Sequence, residues 1–221
     1  LAGGSDSDGD GHPDGFAYVG DFRENVGDVY AGNPPLQPAV SLGNVRNQTA
    51  APINIDSGGG DIVIRGRSGV SESGGYIADA VGSQQNVLID SGVGTIEIVG
   101  DQVSSTGGVG IRFGGFGYYP EMVITSDSSE SPAIDLVGSG RNFGIWLGQG
   151  NVNPSQEGTL LVQSTSTSGG GINITGLTTS ESGGQSIALW VAASGGYLDY
   201  QFLSNSGPIN FTAQDTSSNS V

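Results

Sequence analysis

The chain has 221 residues, of which 41 are Gly and 22 are acidic, against six Arg, one His and no Lys or Cys, for a formal net charge of −16. That charge repels nucleic acid and anionic lipid, so neither is an expected partner, and the missing Cys excludes disulfides and thiolate chemistry. No apolar run approaches the roughly 18 residues that a membrane span needs, and the apolar 35% comes in short, regular pulses, unlike the sparse apolar content of a disordered Gly/Ser linker.

The first distinct stretch is Asp6-Ser7-Asp8-Gly9-Asp10-Gly11-His12-Pro13-Asp14-Gly15. Carboxylates stand at loop positions 1, 3, 5 and 9 and Gly at 6, so alternate side chains converge on one point and the Gly permits the sharp turn. The expected ion is Ca2+, held by Asp6, Asp8, Asp10, the backbone carbonyl of His12 and Asp14. A lone His among hard carboxylates reads as a loop residue rather than a transition-metal ligand. These ten residues resemble the acidic loops of thrombospondin type 3 repeats and related bacterial linkers. They depart from them at loop position 12, where Ala17 replaces an acidic ligand, so Asp21, Glu24 or water would have to complete the shell. Residues 1–25 are read as this calcium-binding loop and its linker.

Residues 26–52 are irregular, with Asn33-Pro34-Pro35 and Pro38 excluding a long helix. Asp28-Val29-Tyr30-Ala31-Gly32 and Ala39-Val40-Ser41-Leu42-Gly43 look like degenerate strands, and the segment is expected to cap a repeat array as an atypical terminal coil.

From residue 53 onward one phrase recurs: Asp61-Ile62-Val63-Ile64-Arg65-Gly66, Thr95-Ile96-Glu97-Ile98-Val99-Gly100, Ala133-Ile134-Asp135-Leu136-Val137-Gly138, Gly171-Ile172-Asn173-Ile174-Thr175-Gly176 and Pro208-Ile209-Asn210-Phe211-Thr212-Ala213. Its first apolar residues, at 62, 96, 134, 172 and 209, step by 34, 38, 38 and 37. Alternation within the phrase means a half-buried strand, and a fixed period means that each strand stacks on its counterpart one repeat earlier. A further ladder at 53, 87, 122, 160 and 200 steps by 34, 35, 38 and 40. Another runs through Tyr76-Ile77-Ala78, Gly110-Ile111-Arg112-Phe113, Gly144-Ile145-Trp146-Leu147 and Ala188-Leu189-Trp190-Val191. The expected fold is all-β: residues 53–221 form a parallel β-helix of three strands per coil of about 34–40 residues, right-handed by the usual crossover preference.

Phrases such as Gly171-Ile172-Asn173-Ile174-Thr175-Gly176 and Gly144-Ile145-Trp146-Leu147-Gly148 resemble the repeats of filamentous-haemagglutinin-like surface proteins, across about residues 53–213. That resemblance implies a secreted bacterial β-helix at a cell surface, serving as an adhesin or fibre.

Two outward clusters bear on chemistry. Glu97 and Asp135 take equivalent places on adjacent coils, about one strand spacing apart, close enough to raise a carboxylate pKa. Asn173 and Asn210 continue the same ladder, there is no Lys, and the only His lies in the calcium loop. The reading is therefore non-enzymatic, with a polysaccharide lyase, hydrolase or carbohydrate-binding β-helix as the alternative. Arg112, Trp146 and Trp190 form an outward ladder with Phe116, Tyr118 and Tyr119 in a nearby corner, either a surface for a glycan or protein receptor or a satellite core under a corner insertion. The last phrase opens a coil that residues 214–221 do not complete. Its strand edges would pair with another copy, head to tail, or with neighbouring repeats of a larger protein.

Overall fold

A computed structural model describes residues 17–19, 39–42, 52–69, 79–83, 86–103, 107–114, 121–149, 157–179, 186–193 and 197–215. Sixteen strands and no helix occupy them. They fall into three parallel sheets, each visited once per turn of the chain.

The recurring phrase supplies the first sheet, ordered β1 (Ala17–Val19), β4 (Ile62–Ser68), β7 (Ile96–Gln102), β10 (Ile134–Gly140), β13 (Ile172–Thr178) and β16 (Ile209–Asp215). The second sheet holds β2 (Val40–Ser41), β5 (Asp79–Ser83), β8 (Val109–Phe113), β11 (Phe143–Gln149) and β14 (Ile187–Ala193). The third holds β3 (Ile53–Asp56), β6 (Val87–Asp90), β9 (Glu121–Ser126), β12 (Glu157–Ser164) and β15 (Tyr197–Ser204). The chain is a parallel β-solenoid.

Register makes the solenoid rigid, because like residues lie over like. Ile62, Ile96, Ile134, Ile172 and Ile209 form one inward column, and Ile53, Val87, Met122, Leu160 and Tyr200 another. From Ile62 to Ile174 the inward residues of the first sheet are buried, so the core is a continuous axial stack. A one-residue slip would turn every one of them to solvent, which pins the register.

A second device narrows the coil between the first two sheets. Gly66, Gly100, Gly138 and Gly176 share one column, and a Cβ at each would collide with the carbonyl of Ala80, Gly110, Gly144 or Ala188 on the following strand. Glycine is there because backbone meets backbone.

The corner before the recurring phrase is built from short polar side chains. Asp56 and Asp90 each accept from the N–H two residues on, that of Gly58 and Gly92. Both glycines sit at positive φ, 65° and 59°, where a β-carbon is strained. Coils are tied at this corner: the Ser126 hydroxyl donates to the Gly94 carbonyl at 2.7 Å, and Asp61 accepts from the Thr95 N–H and hydroxyl one coil later.

Two sequence expectations move. The second-sheet strand that pairs with β8 one coil earlier is β5, with Val81 rather than Ile77 beside Ile111, and residues 76–78 lie outside the described set. An aspartate at position 79 disguised that strand, although Ala80 and Val81 are wholly buried. Ala17, expected at the end of the calcium loop, begins β1 and pairs beside Gly66. Val40–Ser41 is a strand as expected, whereas residues 28–32 lie outside the described set.

Candidate functional site

The outward column of the second sheet runs Gly82, Arg112, Trp146, Trp190 in exact register. Of the two readings the sequence leaves open here, an exposed surface or a satellite core, burial favours the second: Arg112 is only 5% exposed and Trp146 only 3%. Val109, Phe143 and Trp146 form a separate buried cluster, with Ile187 and the half-buried Trp190 packed against it. In its middle strands the second sheet is thus buried on both faces: β5 and β8 at every position, and residues 143–148 of β11, instead of alternating. The Trp146 and Trp190 rings stack at 4.7 Å and 25°, Phe143 stacks on Trp190 at 4.7 Å, and the Arg112 guanidinium lies 5.0 Å from the Trp146 ring centroid. Phe116, Tyr118 and Tyr119 lie outside the described residues.

The residue that sequence reasoning missed is Asp79. Its carboxylate stands 3.4 Å from Arg112 Nη1, with both side chains at least nine-tenths buried, and Arg112 Nε donates to the Gly114 carbonyl at 3.3 Å. The signal was the Arg itself: a cation in an apolar strand needs a counter-charge within one coil, and Asp79 is 33 residues earlier.

Burial pushes the Asp79 carboxyl up from 3.8 to about 6, outweighing the attraction and hydrogen bond of Arg112, which pull it down. The folded protein therefore holds this proton more tightly than the unfolded chain. Stability contributed by the protonated form is fully present below pH 3.8 and is lost as pH rises through 6. Mild acidification from pH 7 to 4 is expected to stabilise the protein by up to about 2–3 kcal/mol through this group. Urea denaturation at stepped pH checks this. Asp79→Asn flattens the dependence, and Arg112→Met moves its midpoint upward; a wild-type profile that falls on acidification across this range would contradict it.

The first sheet's outer face carries the carboxylate ladder that sequence expects. Glu97, Asp135, Asn173 and Asn210 are in register. Glu97 accepts two hydrogen bonds from Arg65, from Nε at 3.0 Å and Nη2 at 2.9 Å, and Arg67 Nε lies 2.7 Å from Asp101. Asp135, half-buried, has its carboxyl raised by burial first and by Glu97 second. Asn210 Nδ2 donates to Asn173 Oδ1 at 2.9 Å, so the ladder ends in amides.

Asp6, Asp8, Asp10, His12 and Asp14 lie outside the described residues. Among the described residues, no group of three or more His, Cys, Asp or Glu is placed to hold a metal ion. No helix among them is long and apolar enough to cross a membrane.

Fold and outer faces together define a three-sheet parallel β-solenoid whose described surface is held by ion pairs, amide ladders and a closed aromatic cluster. No family model, curated protein or solved structure matches the chain.

Proposed function

We propose that this chain is a non-enzymatic structural or adhesive solenoid that works outside the cell, at a cell surface or in a fibre. Ca2+ at Asp6, Asp8, Asp10, the His12 carbonyl and Asp14 stiffens its N-terminal junction. The observation that carries the reading is the shared register of all three sheets, which makes a stiff rod from a chain with no disulfide. Its net charge of −16 suits surroundings rich in cations and disfavours nucleic acid as a partner. Electron micrographs of the purified chain test this: short rods support the reading, and flexible or globular particles overturn it. Chelation is expected to open residues 1–25 to protease while leaving the β signal in circular dichroism intact; loss of the whole β signal would contradict the calcium assignment.

One observation favours a second reading, a polysaccharide-acting β-helix. Asp135, with its raised carboxyl, and Glu97, engaged by Arg65, are neighbours in one outward column. That is the kind of pair that could divide acid and base roles on a sugar. Turnover on a panel of acidic glycans, lost in Glu97→Gln and Asp135→Asn, would establish it; absence of turnover leaves the structural reading standing.

A further inference from the structure

Charge is spread unevenly over the three sheets. Arg65 and Arg67 on β4 pair with Glu97 and Asp101 on β7, and Arg112 on β8 pairs with Asp79 on β5, so the first two sheets carry cations for carboxylates of their own. The five strands of the third sheet contain no Arg, Lys or His. Its outward positions nevertheless hold Asp56, Asp90, Glu121 and Asp199. Asp56 and Asp90 accept from the N–H groups of Gly58 and Gly92, and Asp199 from the Gln201 amide, all neutral donors. Among the described residues, no arginine makes an ion pair with any of these four.

Between these carboxylates runs an aliphatic column. Leu88, Val123 and Leu161 stand in register on three successive coils. They face outward, since their chain neighbours Ile89, Met122 and Leu160 are buried in the core. Leu88 is 38% exposed, and Val123 and Leu161 are partly exposed. At strand spacing the column is about 10 Å long. Asp90 lies two residues on from Leu88 and Glu121 two residues back from Val123, so a carboxylate-bearing position stands about 6–7 Å to either side. Asp56 extends one rim by its register with Asp90, and Asp199 extends the other through Thr159, which registers with Glu121. A second copy of the chain, also at −16 and without Lys, does not supply the complementary charge.

We propose that the outward face of the third sheet docks a basic polypeptide segment in which aliphatic residues alternate with Lys or Arg. Its aliphatic side chains and the stems of its basic residues cover Leu88, Val123 and Leu161, while the charged heads reach the two carboxylate rims. Charge complementarity sets the choice of partner, and the aliphatic column distinguishes this face from the rest of an acidic surface. The proposal deepens the adhesive reading, on which it rests, by stating the chemistry of the receptor.

The test uses the intact chain and a fluorescein-labelled peptide, Lys-Leu-Lys-Leu-Lys-Leu-Lys, titrated by fluorescence anisotropy at low salt. The Leu88→Ser/Leu161→Ser and Asp90→Asn/Glu121→Gln proteins are each expected to bind about fivefold or more weakly than wild type. Asn at position 90 keeps an acceptor for the Gly92 N–H, so the turn survives. Asp127→Asn/Glu130→Gln, which removes the same charge from exposed positions in the corner after β9, should weaken binding less than about twofold. Replacing every Leu of the peptide by Ser should also weaken binding to the wild-type protein about fivefold, a result that does not depend on any variant folding. Absence of binding overturns the proposal. Equal binding of the Ser peptide or of the Leu88→Ser/Leu161→Ser protein does so too, and an equal loss in the corner variant would reduce the contact to bulk charge. Each of these failures leaves the rod itself standing, because the micrographs probe it without the peptide.

Discussion

Replacing Gly138 by valine is expected to destabilise the solenoid by at least ~4 kcal/mol, whereas replacing Ala213 by valine, in the same column on the edge strand β16, should cost less than about 0.5 kcal/mol. Valine is a better strand residue than glycine, and at an unobstructed extended position it would stabilise. Gly138 is obstructed: its absent Cβ would meet the Gly144 carbonyl oxygen and lie 2.5 Å from Ile145 Cγ1. The carbonyl belongs to backbone that also stacks on coils above and below, so it has no room to retreat. The two sheets would have to part, opening the axial core on either side. Ala213 occupies the equivalent place in β16, where every side chain is exposed. Urea denaturation midpoints for the two variants decide the matter. Equal, small effects would mean that the sheets are farther apart than the glycine column implies.

Much of this architecture was legible in the sequence because two ladders repeat with matching periods. The columns beginning at Ile62 and Ile53 are those that the spacing predicts. Period alone does not say which outward positions stay outward. Arg112, Trp146 and Trp190 alternate against Ile111, Ile145 and Leu189 just as surface residues would, yet Arg112 and Trp146 are buried and Trp190 is half-buried. Alternation reports which side of a strand a residue takes, not whether water reaches that side. Asp79 was hidden for a related reason. Its charge marks a loop in sequence, and only the stacking of one coil on the next brings Arg112 within 3.4 Å to make it a strand residue. The carboxylate ladder of Glu97 and Asp135 was legible, while its partner Arg65 lies one coil earlier and diagonally across, a relation that register reveals and spacing alone does not.

Trp146→Ala is expected to cost about 3–5 kcal/mol in stability, a different outcome from that of an exposed ligand platform, where binding falls and the denaturation midpoint stays. The indole sits between the Arg112 guanidinium on one coil and the Trp190 ring on the next, with Phe143 alongside at 5.0 Å. Its removal leaves a cavity that the parallel strands cannot close, because neighbouring coils hold them at strand spacing. It also withdraws the π face from a cation that is buried and already committed to Asp79 and Gly114, a contact worth roughly 0.5–2 kcal/mol in a desolvated setting. Trp190→Ala should cost less, about 1–2 kcal/mol, since that ring is only partly buried at the last coil. If the cluster acts as a unit, Trp146→Ala and Arg112→Met together will destabilise by less than the sum of their separate effects, with a coupling of about 0.5–3 kcal/mol. An additive result, or a Trp146→Ala protein as stable as wild type, would show that the column is stacked in space without being coupled in energy.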